Sequence, residues 1–247
     1  MRSLSRLAPA PAALVRITVS LAALVCFGAG VAAYAAGQPE GEHLPLTAVA
    51  LTLFAALIRR YGIALPGNGF SSYVIGLMLY AILARGWAFA ALVAPFAMLV
   101  GDVLLRRLPL RAALDNAAHL TVGSTLVGLL YEQVGGATGG AALTAANVGP
   151  LALALGLLPV VVNGTFYLQL SLGGGKTIAW VDARLTVRWE GIVYLVSAAL
   201  ALGWLALVYS GLPARPAAVI ATALALATAG SLYVLRLGVR ADELQLV

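Results

Sequence analysis

Apolar residues are gathered into eight stretches, which are separated by short connections rich in polar residues, glycine or proline. The stretches cover residues 14–36, 44–58, 70–84, 87–105, 112–131, 148–172, 191–211 and 216–235. An apolar helix needs about 20 residues to cross a bilayer, and most of the stretches approach or exceed that length. The pattern therefore predicts an all-α, polytopic transmembrane helix bundle. It has about eight membrane segments in a single integral membrane domain over residues 1–247.

The second and third segments, 44–58 and 70–84, are shorter than the others. At 1.5 Å per residue, each reaches roughly 22 Å, which is less than a hydrocarbon core of about 30 Å. Pro66 lies between them and lacks a backbone donor, and the run Gly67-Asn68-Gly69 is a turn signal. We expect a break there, and whether either segment spans fully stays open.

The positive charges predict an orientation. With a cytoplasmic N-terminus and one crossing per segment, all but Arg85 and Arg215 of the 15 Lys and Arg residues fall on the cytoplasmic side. Such an asymmetry orients polytopic proteins. We therefore expect a multi-pass protein of the bacterial inner membrane with both termini in the cytoplasm. We also expect the first apolar stretch to be retained as a helix.

The composition narrows the function classes. Hydrophobic residues make up 62% of the chain and charged residues 10%, against about 25% charged in soluble domains, so we expect no separate soluble domain. The net charge of +6 comes from residues at helix ends, where they orient the chain and can contact anionic lipid headgroups. It is therefore not interpreted as a nucleic-acid footprint.

Residues 177–190, between the sixth and seventh segments, have apolar residues at helical spacing and charged residues on other faces. They predict a short cytoplasmic amphipathic elbow at the membrane interface. Its candidate interfacial residues are Trp180, Arg184, Arg188 and Trp189. An anchoring role is favoured over docking of a partner.

Polar residues inside a membrane are costly, so each is a site hypothesis. Asp115, Asn116 and His119 lie in the fifth segment and Asn163 lies in the sixth. Asp115 and His119 are four residues apart and share a helix face. The four residues are predicted to form an intramembrane polar cluster.

Two other features are local. Asp102 precedes Arg106 by four residues, which predicts an ion pair on one helix. Gly128 and Ala225 belong to stripes of small residues of the kind that lets membrane helices pack closely. Such a stripe contacts either another subunit or another helix of the same chain.

His119 is a candidate tetrapyrrole ligand because a single intramembrane histidine can bind such a group axially. A hydrogen bond to a neighbouring helix is the favoured alternative. The other histidine, His43, falls in a loop and no cysteine accompanies His119, so no metal site is predicted. We expect no cofactor. No catalytic set or nucleotide-binding signature is present, which predicts a protein that is not an enzyme.

From Leu65 onward the chain resembles a family of polytopic bacterial membrane sensor modules. The run from Gly101 to Arg111 and the following run from Ala112 to His119 carry the resemblance. Such modules stand N-terminal to GGDEF, HD-GYP or histidine-kinase output domains. Here the sequence closes at Val247 without one, so the resemblance implies a sensor that would signal through a separate partner.

These observations lead to three functional hypotheses. The leading one is a non-catalytic accessory or scaffolding subunit of a larger membrane complex, for example an energy-converting one. The alternative is an orphan membrane sensor that binds a small apolar or lipid-like ligand. A small-solute carrier is weaker, since the outer halves of the segments lack ionisable groups for ion coupling. The expected partners are other integral membrane proteins and lipids, with no nucleic acid.

Overall fold

The computed structural model describes residues 11–37, 44–65, 69–172 and 180–244. Within these ranges the chain is helical apart from one short hairpin and short connecting loops, which confirms the all-α class. The helices are α1 (Pro11–Ala36), α2 (Leu44–Arg60), α3 (Val74–Arg85), α4 (Trp87–Leu99), α5 (Leu110–Gln133), α6 (Val148–Leu172), α7 (Trp180–Val208) and α8 (Ala214–Leu244).

Five stretches of the described chain are long and apolar enough to cross a membrane, as expected of a multi-pass membrane protein. They are Pro11–Ala36, Trp87–Leu105, Ala145–Leu172, Arg184–Val208 and Ala214–Asp242. The polar helix α5 is not among them. Helices α2 and α3 have only 17 and 12 residues. Eight full crossings, as the sequence predicts, are therefore not established by helix length and composition.

The break predicted between the second and third segments takes the form of a β-hairpin. Strands β1 (Ile63–Leu65) and β2 (Gly69–Ser71) pair antiparallel, with Ile63 opposite Ser71. The apolar stretch 70–84 therefore begins within the hairpin, and helix α3 begins at residue 74. The predicted turn at 66–68 lies outside the described residues.

Helix α4 does not end in a regular turn. Residues Val100–Leu105 continue it as a π-helical turn, in which the Arg106 N–H donates to the carbonyl of Gly101 at 3.0 Å. Arg107 then has a positive φ of 57°, and the Leu108 N–H donates to the Asp102 carbonyl at 2.8 Å. Turns of this kind are rare and occur frequently at functional sites.

The predicted interfacial elbow is not found as a separate element in the described residues. From Trp180 onward the chain is the first part of α7, a 29-residue helix that runs without interruption into the seventh apolar segment. The residues before it, 173–179, lie outside the described ranges. The charged residues of the predicted elbow therefore lie in the first turns of α7.

Several helices touch through glycine, which permits close approach of two backbones. A Cβ on Gly76 of α3 would lie 2.6 Å from the Ser197 carbonyl oxygen of α7. A Cβ on Gly128 of α5 would lie 2.6 Å from Cβ of Trp87 at the start of α4. The stripe containing Gly128 therefore packs against another helix of the same chain, which is one of the two alternatives that the sequence left open.

The first and last helices lie at the periphery. Helix α1 packs mainly against α4 and α5, and α8 packs against α7 and β1. Only 6% of the most apolar stretch of either helix is buried, against 50% for the stretch containing α4. The core therefore lies among α3, α4, α5 and their neighbours.

We expect Gly128→Leu to destabilise the protein by about 1–3 kcal/mol, the usual cost of forcing extra carbons into a packed site. Gly164→Leu on α6 is the matched control, because a Cβ there has no neighbour within 4 Å. Unfolding in mixed detergent micelles would measure both variants. Equal stability of the two variants would contradict the internal position of Gly128.

Candidate functional site

The deepest charged group described is Asp102, whose side chain is fully buried in the π-helical turn. Its Oδ1 accepts hydrogen bonds from Arg59 Nε at 2.8 Å and Arg106 Nη1 at 2.7 Å. Its Oδ2 accepts from Arg59 Nη2 at 3.2 Å and Asn116 Nδ2 at 2.7 Å. The predicted Asp102–Arg106 pair is present, and the sequence missed Arg59. With four donors, the carboxylate is saturated.

Two guanidinium groups on one carboxylate leave an excess positive charge, and both groups also lie over the ring of Phe70. Cζ of Arg106 lies 3.5 Å from the ring centroid and Cζ of Arg59 lies 4.8 Å from it. An aromatic face attracts cations, most strongly where water is excluded. The hairpin residue Phe70 thus ties β2 to the ends of α2 and α4.

A second polar group joins α1, α5 and α6. The ring nitrogens of His119 lie 2.9 Å from Thr165 Oγ1 and 3.0 Å from Gln169 Oε1, and Gln169 Nε2 donates to Asp115 Oδ2 at 3.4 Å. Asp115 also pairs with Arg16, whose Nε is 3.1 Å from Oδ2. His119 therefore makes the interhelical hydrogen bond that the sequence favoured.

The structure divides the predicted polar cluster. Asp115 and His119 are connected through Gln169, while Asn116 turns to Asp102. Asn163 belongs to neither group, because its Nδ2 donates to Glu190 Oε2 of α7 at 3.3 Å. Its assignment to one cluster is wrong because membrane depth does not specify which helix face a side chain occupies.

His119 is a poor fit to a tetrapyrrole. Both ring nitrogens are within hydrogen-bonding distance of α6 side chains, and the histidine is 2% exposed. Axial ligation would require the loss of one of those contacts. No group of three or more His, Cys, Asp or Glu side chains suited to a metal ion occurs among the described residues.

Two of the four residues predicted for the elbow contact α8. Trp189 Nε1 donates to Asp242 Oδ2 at 3.0 Å, and Arg188 Nη1 lies 3.7 Å from the same oxygen. Arg184 is exposed. The side chain of Trp180 lies outside the described residues. The start of α7 and the end of α8 are thus held together.

These contacts bring the starts of α1, α5 and α7 and the ends of α2, α4 and α8 to one end of the bundle. We call it the basic end, after Arg16, Arg59, Arg106, Arg188 and Arg236, which all have contacts there. The polar groups described above lie at or near this end, and the long apolar parts of the helices extend from it.

A cleft of about 680 Å³ lies among α2, α3, α7 and α8. Leu51, Leu77, Leu200 and similar residues give it apolar walls, and Ala225 and Ala229 line it from α8. Lining residues on both sides are exposed, Leu57 by 49% and Tyr233 by 64%, so the cleft opens sideways. Ala225 is thus a cleft residue, which the sequence did not predict.

Polar atoms of the cleft are concentrated towards the basic end. Tyr73 donates through its hydroxyl to Ser231 Oγ at 2.9 Å. Arg236 is the only charged side chain among the described residues that line the cleft. Its Nη2 donates to the carbonyls of Tyr61 and Gly62, the latter at 3.1 Å. The cleft is therefore mainly apolar along its length and cationic at one mouth.

No protein-family model matches the chain, and comparisons with curated proteins and with solved structures gave no match. The resemblance to bacterial sensor modules stays a prediction.

We expect Asp102→Asn to lower the free energy of unfolding by about 3–5 kcal/mol, because two arginines would lose their buried counter-ion. Asp242→Asn is the control. Its partner Arg188 has a side chain that is 63% exposed, so the loss should stay below about 1 kcal/mol. Unfolding in mixed micelles measures both. Similar losses in the two variants would contradict the importance of burial at Asp102.

His119 and Gln169 should show a coupling energy of about 0.6–1.7 kcal/mol, the range for hydrogen bonds between membrane helices. A double-mutant cycle with His119→Phe and Gln169→Leu would measure it. The matched cycle replaces Gln169→Leu by Asn163→Leu, which should not couple because Asn163 bonds Glu190. Equal coupling in the two cycles would refute the assigned contact.

Proposed function

We propose that the protein is a non-catalytic, multi-pass membrane protein that binds one apolar or lipid-like molecule in the cleft among α2, α3, α7 and α8. The observation that carries the proposal is the cleft itself, with about 680 Å³ of space between apolar helix faces. Sites for small molecules commonly enclose about 300–1,000 Å³ and are lined mainly by apolar and aromatic groups.

The length of the cleft suits a chain-like ligand. From Thr47 to Tyr61 the cleft follows α2 for about 20 Å at the helical rise. Its walls are mainly apolar along that length, which suits an extended hydrocarbon chain.

The lateral opening favours a ligand that arrives from the bilayer. Phe54 and Leu57 on α2 and Tyr233 on α8 line the cleft and are each at least 40% exposed. In a membrane these side chains face lipid, so an acyl chain could enter without crossing water. The predicted orientation would place the basic end on the cytoplasmic side of a bacterial inner membrane.

This proposal develops the sensor hypothesis, in which a bound ligand changes contacts with a separate output partner. The accessory-subunit hypothesis stays a prediction. It rests on the exposed faces of α1 and α8, which lipid would cover equally well. The carrier hypothesis has no further support, since the described polar groups lie mainly at or near the basic end.

We expect Ala225→Phe to obstruct the cleft and abolish retention of a lipid. The test compares variants released from phosphatidylcholine nanodiscs, with native mass spectrometry counting the lipids that stay bound. Wild-type protein should retain one molecule and Ala225→Phe none.

Ala223→Phe is the matched control, because Ala223 is exposed on α8 and does not line the cleft. It should retain lipid as the wild type does. Equal retention by wild type and Ala225→Phe would refute binding in the cleft.

A further inference from the structure

The positive charge at one mouth of the cleft indicates which kind of headgroup a bound lipid would have. Arg236 lines the cleft at the basic end, and no other charged side chain among the described lining residues accompanies it. The remainder of the lining is apolar, aromatic or hydroxyl-bearing. A ligand complementary to the whole lining would have an apolar tail and one negatively charged group.

The guanidinium of Arg236 is only partly engaged by the protein, and Arg236 lines the cleft. Its Nη2 donates to the carbonyls of Tyr61 and Gly62, which fixes the side chain at the junction of α2 and the hairpin. Its Nε and Nη1 have no hydrogen-bond acceptor among the residues that the structure describes. An arginine has five N–H donors in a planar fork suited to phosphate oxygens, so donors remain for a ligand.

No carboxylate of the described chain neutralises Arg236. The other basic-end arginines shown in ion pairs have acidic partners: Asp102 for Arg59 and Arg106, Asp115 for Arg16, and Asp242 for Arg188. Arg236 contacts carbonyl oxygens instead. The positive charge at the mouth of the cleft is therefore available to an anion.

The dimensions agree with a lipid that lies along the cleft. A length of about 20 Å along α2 is roughly two thirds of a hydrocarbon core of about 30 Å. A tail that starts beside Arg236 would thus extend past the middle of the core towards Trp204 and Thr47, which line the far part of the cleft.

We infer that the cleft selects an anionic phospholipid, with its phosphate at Arg236 and one acyl chain between α2 and α8. This inference rests on the proposed function and names its ligand class. The predicted orientation places that lipid in the cytoplasmic leaflet, where the positive charges of a polytopic protein meet anionic headgroups.

The experiment uses the full chain in nanodiscs with equal amounts of phosphatidylglycerol and phosphatidylcholine of matched chains. Native mass spectrometry then identifies the lipid that the released protein retains. Wild-type protein should prefer phosphatidylglycerol about fivefold, the factor expected for one basic residue near an anionic surface. Arg236→Gln should retain a lipid without preference, and Arg236→Lys should keep most of the preference because the charge remains.

Arg240→Gln is the matched control, since Arg240 is exposed four residues further along α8 and does not line the cleft. Its preference should equal that of the wild type. The inference is overturned if wild-type protein retains both lipids equally or if Arg236→Gln keeps the preference. Absence of any retained lipid, or equal retention by Ala225→Phe, would instead overturn the proposed function.

Discussion

The buried carboxylate of Asp102 is the interaction on which the basic end of the bundle depends. It binds Arg59 from the end of α2, Arg106 from the end of its own helix and Asn116 from the start of α5. A charge this deep is stable only when paired and hydrogen-bonded. Three chain segments must therefore meet at one place. The ring of Phe70 adds the hairpin to them.

The contacts of Asp102 also position one wall of the cleft. Arg59 anchors the end of α2, and the next residues that face α8 are Tyr61 and Gly62, whose carbonyls receive Arg236. Helix α8 packs otherwise on α7 and β1. The polar contacts at the basic end thus hold α2 and α8 in place at one mouth of the cleft. Away from that mouth, the same two helices enclose apolar space.

The sequence was most informative about local relations, although the predicted elbow was not found. Periodicity and length predicted the helices, and a spacing of four predicted the Asp102–Arg106 pair. The hydrogen bond between Arg59 and Asp102 joins residues that are 43 positions apart in the sequence. From the sequence, the charge of Arg59 was explained only as a signal of membrane orientation. Asn163 was grouped with His119 because it is a polar residue in a membrane segment, yet its position around the axis of α6 directs its side chain to Glu190. Tertiary packing decides such contacts, and no local pattern encodes them.

Small residues show most clearly why the cleft could not be predicted. Gly128 and Ala225 have the same appearance in the sequence, since both belong to stripes that permit close helix packing. Trp87 fills the space beside Gly128, whereas Ala225 lines the cleft. A small side chain brings two helices together only if the backbones are free to approach. Helices α3 and α7 also line the cleft, and the contacts at the hairpin hold α2 and α8 in place. The backbones of α2 and α8 therefore cannot approach, and small residues on α8 leave space that is open to the bilayer.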